Sequence, residues 1–247
     1  MQYELNLRTQ KLGYSDGMRE WQPSYENVLH QPEELAIVVV DMWNRHWCTA
    51  ATRRAGEMAP RIDALLRNAR SNGVLILHAP SDCMPFYAEH PARLRALSLP
   101  ALDVPKLVQL PDAPQPVNAG DGGSDSEQDE FLPNTGVWHR QNEAIFIDPE
   151  RDLITDDGRC AYAHFAANGI KRVLYVGVHT NMCVLHRTFA IKAMRGAGLQ
   201  TALVRDLTDA MYNPAQPPYV SHAEGTRLVI EYIEKFFSPT VLSAELL

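Results

Sequence analysis

The sequence of 247 residues predicts an α/β protein, a three-layer α/β/α sandwich with a mainly parallel sheet. Three observations predict this fold. Several apolar runs are typical of strands buried on both faces, the segments between them have helical periodicity, and strands and helices alternate along the chain. Alternation of this kind favours parallel pairing with right-handed crossovers, and helices then cover both faces of the sheet.

The first strand–helix–strand unit lies in residues 34–82. "ELAIVVVDMW" (34–43) is a continuous apolar run that ends in an acid, and it predicts a buried strand. "MAPRIDALLRNARSNG" (58–73) predicts an amphipathic helix that ends at Gly73. "VLILHAPSD" (74–82) predicts the next buried strand.

The alternation resumes after residue 140. The predicted strands are "EAIFI" (143–147), "KRVLYVG" (171–177) and "LQTALVRD" (199–206). The predicted helices are "CAYAHFAANGI" (160–170), "CVLHRTFAIKAMRGAG" (183–198) and "SHAEGTRLVIEYIEKFF" (221–237).

Two segments lie outside this alternation. Residues 1–30, with Tyr14, Trp21 and Tyr25, predict an arm that packs on the domain or on a neighbouring subunit. Residues 31–247 form a single domain, interrupted by an acidic insertion rich in Pro and Gly at about residues 105–136. The insertion is either a plain surface loop, or a lid or subunit contact.

Composition excludes several classes of function. A net charge of −7 argues against nucleic acid or an anionic membrane as a partner. No apolar run reaches the roughly 18 residues of a membrane helix, and the N-terminus lacks the apolar core of a secretory signal. The four cysteines include no CxxC pair, which favours a reducing compartment, so we expect a cytoplasmic protein. No glycine-rich phosphate loop is present, and we expect no cofactor.

Reactive side chains follow the predicted strands. Asp41 ends the first strand, His78 and Asp82 follow the second, and His179 and Cys183 follow the strand at 171–177. Because ligands of doubly wound sheets bind beyond the carboxyl ends of the strands, these residues form the candidate active site. Asp41 is either a base or orienting carboxylate, or a turn former.

Cys183 lies where a strand gives way to a helix. Thr180 and Asn181 are good N-cap residues, so the cysteine is expected in the first helical turn. There the helix dipole should lower the thiol pKa, and free backbone N–H groups could stabilise an oxyanion. The alternative is a small, inert core residue.

The strings "GVHTNMCV" (177–184), "LVRDLTDA" (203–210) and "VVVDMWN" (38–44) resemble the isochorismatase-like cysteine hydrolase superfamily. That superfamily includes nicotinamidases, N-carbamoylsarcosine amidases and isochorismatases, and the likeness spans about residues 35–237. The resemblance implies an Asp–Lys–Cys triad in which Asp41 takes the thiol proton and Cys183 forms an acyl intermediate. It also implies a cis peptide at Val178–His179 and an oxyanion hole formed by the backbone N–H groups of His179 and Cys183.

The chain departs from this family at the lysine. Counting back from the segment 143–147 puts His139 in the place of the lysine, with Arg140 beside it, and either could supply the positive charge. After Asp41 the family commonly has Gln-Asn-Asp-Phe, whereas this chain has Trp43, Asn44, Arg45 and His46, which predicts a more aromatic and more basic pocket. We therefore assign the catalytic role to Asp41, His139 and Cys183. Substrate or oxyanion binding is assigned to Trp43, Asn44, Arg140, Val178 and His179.

A metal site is the weaker interpretation of the remaining histidines. His46, His78, Asp82 and His90 could bind Zn²⁺, but their spacing matches no zinc signature. We interpret them as polar turn residues and pocket walls, and we assign no metal.

The sequence thus predicts a hydrolase that cleaves a C–N bond of a small amide, carbamoyl or imide-like substrate through Cys183. Two alternatives stay open: a vinyl ether hydrolase of the isochorismatase type that uses Asp41, and a catalytically weak binding or scaffold relative without the family lysine. The resemblance also implies a homo-oligomer, a dimer or tetramer.

Overall fold

The computed structural model describes residues 2–126, 131–133 and 135–247. Its centre is an eight-stranded sheet with the order β2-β1-β8-β7-β6-β3-β4-β5. The strands are β1 (Tyr3–Ser15), β2 (Met18–His30), β3 (Leu35–Val40), β4 (Leu75–Ala79), β5 (Leu153–Ile154), β6 (Arg172–Val178), β7 (Gln200–Asp209) and β8 (Thr240–Val241). All neighbours from β5 to β8 pair in parallel, whereas β1 is antiparallel to both β2 and β8.

Helices cover both faces of the sheet, which confirms the predicted three-layer α/β/α fold. Side chains of β3 alternate between the two layers: Ile37 and Val39 pack with α1, while Val38 and Val40 pack with α3 and α6. The helices are α1 (Thr49–Ser71), α2 (Pro91–Ala96), α3 (Gly158–Ala167), α4 (Cys183–His186), α5 (Ile191–Gly196) and α6 (His222–Phe236). Among the described residues, no helix combines the length and the apolarity needed to cross a membrane.

The described residues of the segment 1–30 form a hairpin that extends the sheet. The turn consists of Asp16 and Gly17, both with positive φ, and it joins β1 to β2 in register. Leu5 and Leu7 of β1 are buried, whereas β2 is exposed along nearly all of its length. The hairpin is therefore one edge of the main sheet.

The described residues of the insertion at 105–136 form neither helix nor strand, but they are anchored at several points. Asp125 pairs with Arg54 of α1 at 2.7 Å, and the Asn118 amide donates to the Pro217 carbonyl at 2.9 Å. Gly123 lies against the Met211 carbonyl, where a Cβ atom would approach within 2.6 Å. The insertion therefore runs across the carboxyl-terminal edge of the sheet.

Two predicted elements were wrong. Residues 143–147 form no strand, because the Ile145 amide closes a turn on the Asn142 carbonyl; the edge strand is β5, at Leu153–Ile154. The helix predicted at 183–198 is broken into α4 and α5. At the break, Tyr175 donates to the Phe189 carbonyl at 2.9 Å, and the Gly158 amide donates to the Thr188 hydroxyl at 3.0 Å. These long-range bonds replace the helical hydrogen-bonding pattern at the break.

Candidate active site

The site lies where the adjacent parallel strands β3 and β6 end. Val40 pairs with Gly177, so Asp41 and the turn leading to Cys183 emerge side by side. Gly177 has φ +105°, and a Cβ atom there would approach the Val40 carbonyl within 2.1 Å. The glycine therefore allows the two strand ends to approach closely.

Asp41 is fully buried and has three polar partners. The Ser81 amide donates to Oδ1 at 2.7 Å, Arg187 Nε donates to Oδ2 at 3.3 Å, and the Cys183 thiol interacts with the carboxylate closely enough to lower its pKa. Burial raises the pKa of Asp41, although Arg187 and the hydrogen bonds act against this rise. The carboxylate is therefore a stronger base than an exposed aspartate.

The thiol of Cys183 has a raised pKa, so the expected lowering was wrong. Burial is the largest cause of the rise, and the negative charge of Asp41 adds to it; Arg187 opposes both. The helix that was expected to lower the pKa is α4, which has only four residues. A single turn contributes only a small dipole. The resting sulfur is therefore a thiol, and its proton must move before attack.

The cation in contact with both groups is Arg187, which the sequence analysis missed. Its guanidinium donates to Asp41 and interacts electrostatically with Cys183, and its side chain is 35% exposed. Arg187 follows Cys183 by four residues, a spacing that places both on one side of a helical turn. This spacing was the available signal, but the chain leaves the helix at Arg187, with ψ 157°.

The two sequence candidates for the cation have their described contacts elsewhere. His139 is exposed, and its backbone amide donates to the Asn44 side chain at 3.1 Å. Arg140 pairs with Glu143 and lies over the Phe86 ring at 5.5 Å. Asn44, expected to bind substrate, holds the backbone of residues 139–140 instead.

The peptide bond Val178–His179 is cis, as expected from the resemblance. The backbone N–H of His179 acts to lower the pKa of the Cys183 thiol, against the effects of burial and Asp41. Within the described residues, the Cys183 amide has no backbone acceptor, whereas the neighbouring Met182 and Val184 amides both donate to the His179 carbonyl. One N–H beside the sulfur is thus free to bind an oxygen.

Aromatic side chains form one wall beside the thiol. Trp43 stacks on Trp138, with ring centroids 4.2 Å apart, and both pack in the cluster that touches Cys183. The indole N–H of Trp43 donates to the Ser81 carbonyl at 3.0 Å, which fixes the ring. Because Trp138 follows the insertion in sequence, the insertion leads directly into this wall.

An open cavity of about 400 Å³ gives access to the sulfur. Gln115 of the insertion forms part of its rim and donates to the Asn181 carbonyl at 2.8 Å. The lining residues are Gln115, Asn181, Met182, Cys183, His186 and Arg187.

The residues considered for zinc do not converge. His78 bonds Gln141 and Asp152 at 3.0 Å each, His90 caps α2, and His46 accepts from the Cys48 amide. Asp82 lies 3.7 Å from Arg187. In the part of the chain that is described, no three His, Cys, Asp or Glu side chains are grouped as metal ligands.

Two buried histidines beside the site should make the fold acid-sensitive. Burial lowers the pKa of His46 to about 3 and that of His179 to about 4. Since an unfolded histidine titrates near 6.5, only the unfolded state gains these protons as the pH falls below that value. Below about pH 6.5, each histidine should therefore lower the free energy of unfolding by up to about 1.4 kcal/mol for every unit that the pH falls.

Urea unfolding between pH 7 and 5 measures this slope. His46→Gln should flatten it, because one of the two protonation sites is gone. His139→Gln is the control, because it makes the same replacement at an exposed histidine. Equal slopes for the wild type and His46→Gln would contradict the assignment.

No family model and no curated protein sequence matches the chain. Solved structures do match it. A cysteine hydrolase from Pseudomonas syringae pv. phaseolicola 1448A is 19% identical, with TM-score 0.56, and the match covers 88% of this chain and 92% of that one. An isochorismatase from Pseudomonas putida KT2440 is 12% identical, with TM-score 0.50, covering 88% and 92%. The protein therefore has the α/β fold of the isochorismatase-like hydrolases, which confirms the resemblance at the level of the fold.

Proposed function

We propose that the protein is an isochorismatase-like hydrolase that cleaves a C–N bond of a small amide, carbamoyl or imide-like substrate through an acyl intermediate on Cys183. The observation that carries this proposal is the mutual contact of Asp41, Cys183 and Arg187 at the adjoining ends of β3 and β6. Acyl transfer needs a nucleophile, a base and a positive charge close together, and Cys183, Asp41 and Arg187 are side chains of these three kinds. Arg187 also offers the positive charge that the family lysine would supply. The absence of that lysine was the reason to consider a binding or scaffold relative.

In the acylation step, the Cys183 sulfur attacks the substrate carbonyl carbon as its proton moves to Asp41. The oxyanion accepts a hydrogen bond from the free backbone N–H of Cys183, and the His179 N–H, which acts on the resting sulfur, joins it once the sulfur is acylated. The C–N bond then breaks, and Asp41 returns its proton to the leaving nitrogen. Ammonia or an amine departs, and a thioester remains on the sulfur.

Deacylation repeats these roles with water. Asp41 takes a proton from water, the hydroxide attacks the thioester, and the C–S bond breaks with the proton returning to the sulfur. Arg187 keeps its positive charge throughout and transfers no proton, since a guanidinium stays protonated. Its contribution is electrostatic, and it lowers the cost of negative charge on the sulfur and on Asp41.

Arg187→Gln should lower kcat/KM by about 10²- to 10³-fold, because the developing negative charge loses its cation. The acid limb of the pH–rate profile should also move to higher pH. Arg187 holds the pKa of Asp41 down, so its removal raises the pH at which the base loses its proton. The pH–rate profiles of wild type and variant measure both effects.

Arg140→Gln is the matched comparison, since it removes one guanidinium at the position that the sequence favoured. Its effect on kcat/KM should be much the smaller of the two. A larger loss in Arg140→Gln than in Arg187→Gln would return the catalytic cation to the segment 139–140.

The proposed function is tested by screening small primary amides, N-carbamoyl compounds and imides for ammonia release. Acid-quenched reactions are then weighed as intact protein and mapped by peptide. We expect an adduct of the acyl mass on Cys183. Turnover of a C–N substrate without any adduct on this residue, under conditions where deacylation limits the rate, would overturn covalent catalysis.

One observation favours a second candidate, the hydrolysis of a vinyl ether. The raised pKa of Asp41 lets the carboxyl group hold a proton that it could donate to a vinyl carbon. Water would then add to the resulting cation and return a proton to Asp41, and the hemiacetal or hemiketal so formed would break down to a carbonyl compound and an alcohol. Asp41→Asn should abolish this reaction, whereas Cys183→Ser should leave it intact.

We further propose a homo-oligomer in the cytoplasm. The β1–β2 hairpin exposes large apolar side chains, including Tyr14, Met18 and Trp21, that a second subunit could cover. All four cysteines are free, which supports a reducing compartment. Light scattering on the purified protein tests the assembly, and a monomer at micromolar concentration would contradict it.

A further inference from the structure

A second cavity, of about 690 Å³, lies at the amino ends of the central strands. Arg172, the first residue of β6, lines it, whereas Cys183 follows the other end of that strand. Seven residues of strand span roughly 20 Å, so the two sites are at opposite edges of the sheet. The cavity lies beside β8, which has only two residues and meets β1 only at Arg8.

Arg172 is buried, with 5% exposure, and has no carboxylate partner. Its Nε donates to His30 Nε2 at 3.1 Å, Nη1 to the Thr201 carbonyl at 3.1 Å, and Nη2 to Gln200 Oε1 at 2.8 Å. All three acceptors are uncharged, and within the described residues Arg172 forms no ion pair. A buried charge without a counter-ion is costly.

Two more cations face the same space. Arg195 and Lys11 line the cavity, and neither forms an ion pair in the described part of the chain. Burial lowers the pKa of Arg172 to about 10; Glu26 on the wall raises it, and Arg195 lowers it further. Three cations thus surround one cavity with a single wall carboxylate, in a chain whose net charge is −7. This local excess of positive charge attracts an anion.

His30 lines the same wall and accepts a hydrogen bond from Arg172. Its Nε2 accepts from Arg172, so in the neutral ring the proton is on Nδ1. Nδ1 is buried and has no hydrogen-bond partner; the Glu34 carboxylate is 3.7 Å away. Nδ1 thus faces Glu34, and the part that His30 plays at the cavity is to position the Arg172 guanidinium.

We propose that this cavity binds a small molecule through an oxyanion group, either a carboxylate or a phosphate. The anion oxygens accept from Arg195 and from the remaining N–H groups of Arg172, while Lys11 adds charge at the rim. Guanidinium groups suit this chemistry because they bind two oxygens of an oxyanion in parallel. The site is separate from the thiol site and does not depend on the proposed function.

Isothermal titration of the full chain with sodium phosphate and with sodium malonate, at constant ionic strength in chloride, tests the proposal. We expect saturable binding of at least one of them, and the preferred anion identifies the group. Arg195→Gln should weaken binding at least tenfold, and Lys11→Gln should weaken it less. Both side chains are at least partly exposed, so these variants should fold. Lys106→Gln, which removes an exposed charge elsewhere, should bind as the wild type does.

Two outcomes overturn the proposal. The first is the absence of binding for both anions at concentrations up to about 10 mM, since a cavity with this charge should reach millimolar affinity. The second is wild-type binding by Arg195→Gln together with loss of binding in Arg187→Gln. That result would place the anion beside the thiol instead.

Discussion

Cys183→Ala should reduce kcat/KM for a C–N substrate by about 10⁴-fold or more while the protein stays folded. In the proposed mechanism the sulfur forms the covalent bond, so its removal leaves Asp41 and Arg187 without their nucleophile. Cys183→Ser should be almost as inactive, because a hydroxyl gives up its proton much less readily than a thiol. Steady-state kinetics and a thermal melt of each variant measure the two quantities.

Cys160→Ala is the matched control. Cys160 is a buried thiol in α3 that donates to the Ala96 carbonyl at 2.9 Å, far along the chain from the site. Its loss should lower the melting temperature slightly and leave kcat/KM within about twofold. If Cys183→Ala kept more than a tenth of wild-type turnover, the acyl intermediate would have to be abandoned, and Asp41 would become the central group.

The proximity of Asp41 and Cys183 could be predicted, because the prediction needs only the local sequence pattern and a rule of sheet topology. An apolar run that ends in an acid and a strand that runs into a helix start both mark carboxyl ends of strands. In a parallel sheet these ends lie along the same edge. The sheet order then places β3 beside β6, so the two residues touch.

Arg187 could not be assigned in the same way, because its position depends on contacts between distant segments. The apolar periodicity of residues 183–198 is that of one continuous helix. Tyr175 and Gly158 bind the backbone at Phe189 and Thr188, and these bonds interrupt the helix. Because the helix is interrupted there, the backbone at Arg187 is extended, and its guanidinium forms an ion pair with Asp41.

The direction of the thiol pKa also depends on tertiary structure. The position of Cys183 at a helix start was predicted correctly, but its burial and the proximity of the Asp41 charge dominate over one turn of helix. Burial is a property of what covers a residue, here in part the stacked pair Trp43 and Trp138. By contrast, the hairpin had a local signal, since Asp16–Gly17 is a typical two-residue turn sequence.

Asp152→Asn should lower the free energy of unfolding by about 3–5 kcal/mol, because it takes the bidentate carboxylate from a buried arginine and leaves only Asp148, 4.0 Å away, as a charge partner. Arg70 binds both carboxylate oxygens, at 2.9 and 2.6 Å, and both side chains are at most 4% exposed. His78 binds the same carboxylate at 3.0 Å. Burial alone would raise the pKa of Asp152, but the hydrogen bonds from His78 and Arg70 hold it at about 2. Urea unfolding at pH 7 measures the loss.

Glu57→Gln is the control for a surface pair. Glu57 binds Arg53 one helical turn away at 3.0 Å, with both side chains more than 60% exposed, so its loss should cost less than about 0.5 kcal/mol. Adding Arg70→Met to Asp152→Asn should recover part of the stability, because the weakly paired charge is removed as well. The same network also reaches the site, since His78 binds Gln141, which bridges to Trp43. A cost for Asp152→Asn no larger than that for Glu57→Gln would show that the buried network does not hold this edge of the site in place.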